Sequence, residues 1–209
     1  MASKAIEGVK PMKRPRWYDF LSLNLFWLGL KVRNTAVGSF FTPYLVGIFA
    51  PDAFSNTARG AINTAGLISA MLVQLAAGPL SDRSASCFGR RRPFIYVGVL
   101  LDLVFLVAIG LSGSYWALPL ATLLIQFSAN TSHGPLQGLI PDLVPEDQRG
   151  RASGIKAVME LVPIVLVGVT IAPLIAAGRL SWAVVATGGA LLITMLVTVM
   201  LVHEEPLKE

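Results

Sequence analysis

Between Phe20 and Val202 the sequence is six apolar runs of roughly bilayer length, separated by short polar connections. A helix needs about 20 mostly apolar residues to cross the hydrocarbon of a membrane. Lipid offers no partner to backbone N–H and C=O groups, and a helix satisfies them within one segment. The runs fall at about 20–48, 61–80, 94–109, 116–140, 152–177 and 181–202. The expectation is an all-α membrane protein with six transmembrane helices, a polar tail at 1–18 and another at 203–209. Only 14% of residues are charged, against roughly 25% in soluble domains.

The charges set the orientation. Basic side chains are costly to translocate, so loops rich in them stay in the cytoplasm. The tails and the connections at 81–92 and 141–156 hold Lys4, Lys10, Lys13, Arg14, Arg16, Arg83, Arg90, Arg91, Arg92, Arg149, Arg151, Lys156 and Lys208. The opposite connections hold Arg59 and Arg179. Both termini are therefore expected in the cytoplasm, with the bundle in the plasma or inner membrane and Trp17 and Tyr18 as interfacial anchors. The net charge of +5 is spread over separate loops, which argues against a nucleic-acid face.

Several chemistries find no support. Cys87 is the single cysteine, so neither an internal disulfide nor a thiolate metal site is expected. Ser, His and Asp residues share no catalytic motif, no phosphate-binding GxxxxGK[ST] loop is present, and no metal or other cofactor is expected. The first apolar run is too long for a cleavable signal peptide. The chain does not read as an enzyme.

Lys31, Arg33, Asp102 and Glu160 stand deep in apolar runs. By helical rise, Asp102 and Glu160 lie roughly 12 Å, and Lys31 roughly 16 Å, from the cytoplasmic ends of their helices. A lone charge there costs about 2.5–3.5 kcal/mol, so pairing or a wet cavity is required. Two readings stand. In one, Asp102 or Glu160 binds a coupling proton or cation that Lys31 or Arg33 balances; in the other, these are structural ion pairs. Lys156, at i−4, is a ready partner for Glu160. Arg33 lies about 200° round the helix from Lys31, so the two cannot face one cavity, and its partner is not legible.

Gln126, Asn130, His133 and Gln137 step by four, three and four residues along one face of the fourth helix. Amides at that depth belong toward the bundle interior or water. The first helix carries Asn24, Lys31, Thr35, Ser39 and Thr42. Facing stripes would line a polar path for a small polar solute; the other reading is interhelical hydrogen bonding. Gly66, Ala70, Gln74 and Gly78 give the second helix a narrow small face suited to close packing. His133 is either a titrating or a neutral hydrogen-bonding group, and Gly134-Pro135 beside it is a candidate helix break. Pro43 is a candidate kink in the first helix.

The loop GPLSDRSASCFGRRRP, 78–93, resembles the signature between helices 2 and 3 of the major facilitator superfamily. That pattern is Gly, three residues, Asp-Arg, one residue and Gly-Arg-Arg; here four extra residues separate Arg83 from Gly89. The longer loop, with MLVQ before it and PFI after GRRR, is similar to the sucrose–proton symporters and the related glycoside–pentoside–hexuronide:cation symporters. NTSHGPLQGLIPD at 130–142 and PEDQRGRASG at 145–154 resemble the helix 4 segment and the helix 4–5 loop, and Thr42-Pro43-Tyr44 is a weaker match. The symporters carry an arginine in helix 4 where this chain has Gln137.

The resemblance implies one six-helix half, the N-terminal one, of a secondary transporter that moves a sugar with protons by alternating access. It implies that Gly78, Asp82, Arg83, Gly89, Arg90 and Arg91 form a cytoplasmic latch. Substrate in such carriers lies between two halves, so a second half or a second copy is the expected partner, beside lipid, solute and a proton or cation. Gln126, Asn130, Gln137 and Lys31 are the candidate solute contacts, and Asp102, Glu160 and His133 the candidate coupling groups. The rival reading is a six-helix membrane protein without transport activity, an interaction subunit or a truncated remnant.

Overall fold

The computed structural model describes residues 15–49, 55–82, 91–114 and 117–202. Among the described residues every regular element is helical. They are α1 (Trp17–Ala36), a π-helical stretch (Val37–Phe41), α2 (Thr42–Phe49), α3 (Ser55–Asp82), α4 (Arg92–Gly110), α5 (Ala117–Gln137), α6 (Leu139–Leu143), a 3-10 turn (Glu146–Gln148), α7 (Arg149–Ala176) and α8 (Leu180–Leu201).

Local chemistry sets the helix ends. The carboxylate of Asp19, three residues into α1, reaches back to the backbone N–H of Arg16 at 2.7 Å, as in a capping box. Pro93 opens α4, where a missing N–H costs nothing. α7 ends in a Schellman turn: Gly178 takes φ +70°, and the N–H of Arg179 donates to the carbonyl of Leu174 at 2.8 Å.

The first apolar run stays helical through Pro43. It opens into the π-helical stretch just before it, where the N–H of Thr42 donates to the carbonyl of Val37, five residues back. Pro43 has no N–H and crowds the preceding turn, and a wide turn relieves both. The fourth apolar run, α5, passes through Pro135 and ends at Gln137; Gly138 then leads into α6.

Four helical stretches among the described residues are long and apolar enough to cross a membrane: Arg59–Ser81, Arg92–Gly110, Glu146–Ala176 and Leu180–Leu201. α1 and α5 are less apolar because they carry the polar residues of the interior. α1 packs against α7 and α8, and α5 against α3 and α4. Large apolar side chains face outward on the surrounding helices, including Leu75 of α3, Val104 of α4, Val165 of α7 and Val185 of α8.

Two apolar layers fill the interior. One holds Phe41, Ile62, Leu106, Ile125 and Ile171; the other holds Phe26, Ile95, Val99, Leu136 and Leu191. Asp102 sits on α4 between Val99 of one layer and Leu106 of the other. Close helix contacts hold the seam. A Cβ on Gly98 would lie 2.8 Å from the backbone nitrogen of Ser132, so α4 and α5 approach at a distance that only glycine permits.

Candidate solute cavity and buried ion pair

A cavity of about 410 Å³ lies between α1, α3 and α5. α1 and the π-helical stretch contribute Asn34, Val37 and Gly38, and α2 contributes Thr42. α3 contributes Asn63, Gly66 and Ala70, and α5 contributes Thr122, Gln126, Asn130 and His133. Four carboxamides therefore meet at one cavity, among apolar side chains such as Leu30 and Leu67. A concave site with a few convergent polar groups is the usual form of a small-molecule site.

The wide turn is part of this geometry. It adds a residue to the first apolar run, and Val37, Gly38 and Thr42 all border the cavity. Of the expected stripe on that run, Thr42 lines the cavity. Asn24 is buried elsewhere, with its amide donating to the carbonyls of Phe20 and Ala152. Lys31, Thr35 and Ser39 do not line it. Sequence reasoning missed Asn34 and Asn63; Asn34 is next to a charged residue that drew the attention, and Asn63 stands near the outer end of its run.

Of the stripe on α5, Gln126, Asn130 and His133 line the cavity, while Gln137 is exposed at the helix end and does not. The small face of α3 turns toward them. Gly66 lies against Gln126, and Gln74 Nε2 is 2.6 Å from His133 Nδ1. Since a carboxamide nitrogen only donates, Nδ1 is the accepting nitrogen there. His133 also meets Trp27 edge to face at 5.0 Å, and the Lys156 ammonium lies 3.7 Å from the centre of the Trp27 ring. Lys156 approaches Glu160 at 3.8 Å, the pairing that their spacing predicts. Gln74, His133, Trp27 and Lys156 thus tie α3, α5, α1 and α7 together beside the cavity.

Behind the cavity wall lies the ion pair whose partner the sequence did not reveal. Arg33 meets Asp102 side-on: Nε donates to Oδ2 and Nη2 to Oδ1, each at 2.7 Å. Arg33 Nη2 also donates to the carbonyl of Ile125 at 2.7 Å, and Ser128 donates to Asp102 Oδ1 at 3.0 Å. Side-chain exposure is 0% and 1% for the two partners. Arg33 Nη1 reaches Asn34 Oδ1 and, at 3.4 Å, Gln126 Oε1. The pair therefore touches the cavity through two of its carboxamides without lining it.

At the start of α4, Arg91 is buried and bridges elements. Its guanidinium meets Asp142 at 2.7 Å and donates to the carbonyl of Pro135 at 2.9 Å. A Cβ on Gly138 would fall 1.8 Å from Arg91 Nη1, so glycine makes room for the bridge. Arg92 donates to the carbonyl of Val202 at the end of α8. Gly78 and Asp82 belong to the last turns of α3. Arg83, Gly89, Arg90 and Cys87 lie outside the described residues.

The sequence pattern of the Major Facilitator Superfamily matches residues 22–209. The chain belongs to the major facilitator superfamily. Among the superfamily's characterised proteins it is similar to the sucrose transport protein SUC3 of Arabidopsis thaliana, 30% identical over 146 residues, covering 56% of this chain and 23% of that protein. It is 31% identical to the sucrose transport protein SUT1 of Oryza sativa subsp. japonica over 139 residues, 56% of this chain and 25% of that protein. It is 32% identical to solute carrier family 45 member 3 of Mus musculus over 143 residues, 62% of this chain and 25% of that protein. The matched stretch spans about a quarter of the length of these curated relatives. Membership in the superfamily accounts for the apolar exterior of α3, α4, α7 and α8 as the surface of a multi-pass membrane protein.

Proposed function

We propose that this chain is the N-terminal six-helix half of a sugar carrier coupled to protons or another cation. The observation that carries the reading is the amide-lined cavity between α1, α3 and α5. It occurs in a member of a transporter superfamily whose similar proteins include two named for sucrose transport. Carboxamides and hydroxyls match the hydroxyls of a sugar, and the apolar walls match its C–H faces. Gln126, Asn130 and His133 contact solute in this reading, joined by Asn34 and Asn63.

Asp102 is the coupling group. Proton uptake by its carboxylate would cancel the charge that holds Arg33, and the freed guanidinium would bias the wall that carries Asn34 and Gln126. Glu160, with Lys156 beside it, is the other carboxylate within the spans. Gly78, Asp82, Arg83, Gly89, Arg90 and Arg91 serve as a cytoplasmic latch, of which the Arg91–Asp142 bridge is the described part. α1 and α5 complete six spans, with both termini in the cytoplasm of a cell whose plasma or inner membrane holds the protein. A second half, or a second copy, supplies the opposite wall.

The test is uptake of radiolabelled sucrose and related disaccharides into proteoliposomes, with and without an inward pH gradient. Gradient-dependent accumulation supports the carrier. Asp102→Asn should abolish accumulation and leave counterflow exchange partly intact. No flux under any gradient, in protein that remains folded, favours a non-transporting six-helix protein.

A further inference from the structure

We infer that the Arg33–Asp102 pair is a positioning device that fixes the hydrogen-bond polarity of the cavity wall. The inference rests on the reading of that cavity as the solute site. A guanidinium has only donors, so any carboxamide that meets it must present its oxygen. Arg33 Nη1 meets Asn34 Oδ1 and Gln126 Oε1 from behind the wall. Both carboxamides line the cavity, and their NH₂ ends are what remains for it. The Gln126 end is placed accordingly: its Nε2 lies 3.7 Å from the position of a Cβ on Gly66, a cavity-lining residue of α3.

One turn along α5 the polarity reverses. Asn130 Nδ2 donates to the carbonyl of Gln126 at 2.8 Å, which leaves Asn130 Oδ1 as an acceptor. One turn the other way, the Thr122 hydroxyl is buried on the same lining and has no hydrogen-bond partner among the described residues. Asp102 takes two bonds from Arg33 and one from Ser128, and so holds the guanidinium in the single pose that reaches both carboxamides.

The wall therefore asks for ligand lone pairs at Asn34 and Gln126 and for a ligand hydrogen at Asn130. A polyol meets both demands, because each hydroxyl both accepts and donates. An alkylammonium ion has no lone pair and is refused twice, by the NH₂ ends and by the guanidinium behind them. Arg33 and Asp102 act through the carboxamides and do not touch solute.

The experiment uses the full chain in nanodiscs. Side-chain amides are labelled with ¹⁵N, and the Asn34 and Gln126 signals are assigned by substitution. With no ligand added, both NH₂ groups should exchange magnetisation with water, because they face the cavity. Absence of that exchange would overturn the inference. The second measurement is binding of sucrose, its monodeoxy derivatives and its monodeoxyfluoro derivatives. Fluorine keeps an acceptor where a deoxy carbon has none, so at one or more hydroxyls the fluoro sugar should bind about tenfold tighter, the worth of one hydrogen bond.

The double variant Arg33→Gln, Asp102→Asn should shrink that preference to less than about twofold by letting the carboxamides turn. Arg33→Lys, which keeps the charge on one point donor, should give an intermediate preference. A uniform loss across the whole panel would overturn the inference, since a merely structural pair weakens every sugar alike. Failure of the parent protein to bind sucrose, with the water exchange present, refutes the sugar reading and leaves the orientation of the wall standing.

Discussion

Arg33 on α1 and Asp102 on α4 form a bidentate ion pair with two 2.7 Å hydrogen bonds, at the seam between two apolar layers. Removing one partner leaves a buried charge without compensation, at a cost of about 3–5 kcal/mol. Arg33→Met or Asp102→Leu alone should lower the Tm in detergent sharply. The combined substitution should recover most of the loss, as replacement of a buried pair by apolar residues often does. Additive losses in the double variant would show that the two side chains do not support each other.

The Arg91–Asp142 bridge depends on a glycine. Gly138→Ala places a methyl group where the Arg91 guanidinium lies, at 1.8 Å from Nη1. It should cost about 1–3 kcal/mol, as overpacking does. In an Arg91→Ala background the same substitution should be nearly neutral. Equal costs in both backgrounds, measured by chemical or thermal unfolding, would separate Gly138 from the bridge.

Gly66→Leu should fill the cavity. The Cβ position already lies 3.3 Å from Gln126 Cγ, and Gly66 lines the cavity. Solute binding should fall by at least about tenfold, corresponding to about 1.4 kcal/mol. The Tm should stay within a few degrees of the parent protein. Binding unchanged by this leucine would place the solute elsewhere.

The Lys156–Trp27 contact, at 3.7 Å from the ring centre, is worth about 0.5–2 kcal/mol depending on its desolvation. Lys156→Met should lose that amount and shift the fluorescence of Trp27, read in a protein with Trp17, Trp116 and Trp182 replaced by phenylalanine. Lys156→Arg should keep most of it. Identical spectra in all three proteins would mean that the ammonium does not sit over the ring.

Much of this architecture is legible in the residues. Among the described residues the long helices overlap the apolar runs, because length and hydropathy are local properties. The stripe Gln126, Asn130 and His133 is legible because a polar group at that depth has few places to point. The partner of Arg33 is not legible, since Asp102 lies on another helix and the choice between Asp102 and Glu160 depends on tertiary packing. Lys31 and Gln137 lie off the cavity for reasons that a helical wheel drawn from one end cannot give. Asn34 stands beside Arg33, whose charge is the stronger signal in the sequence.

That wide turn carries its own genetic signature. One residue inserted into a regular α-helix rotates everything beyond it by about 100°, and a wide turn absorbs that rotation. Deleting a single amino acid from Val37–Phe41 would let the run close into an uninterrupted spiral in which Thr42 keeps the rim it now occupies. A one-codon deletion there removes the bulge and leaves the half-helix beyond it in place, where the same deletion in the regular turns of α1 would rotate everything past it.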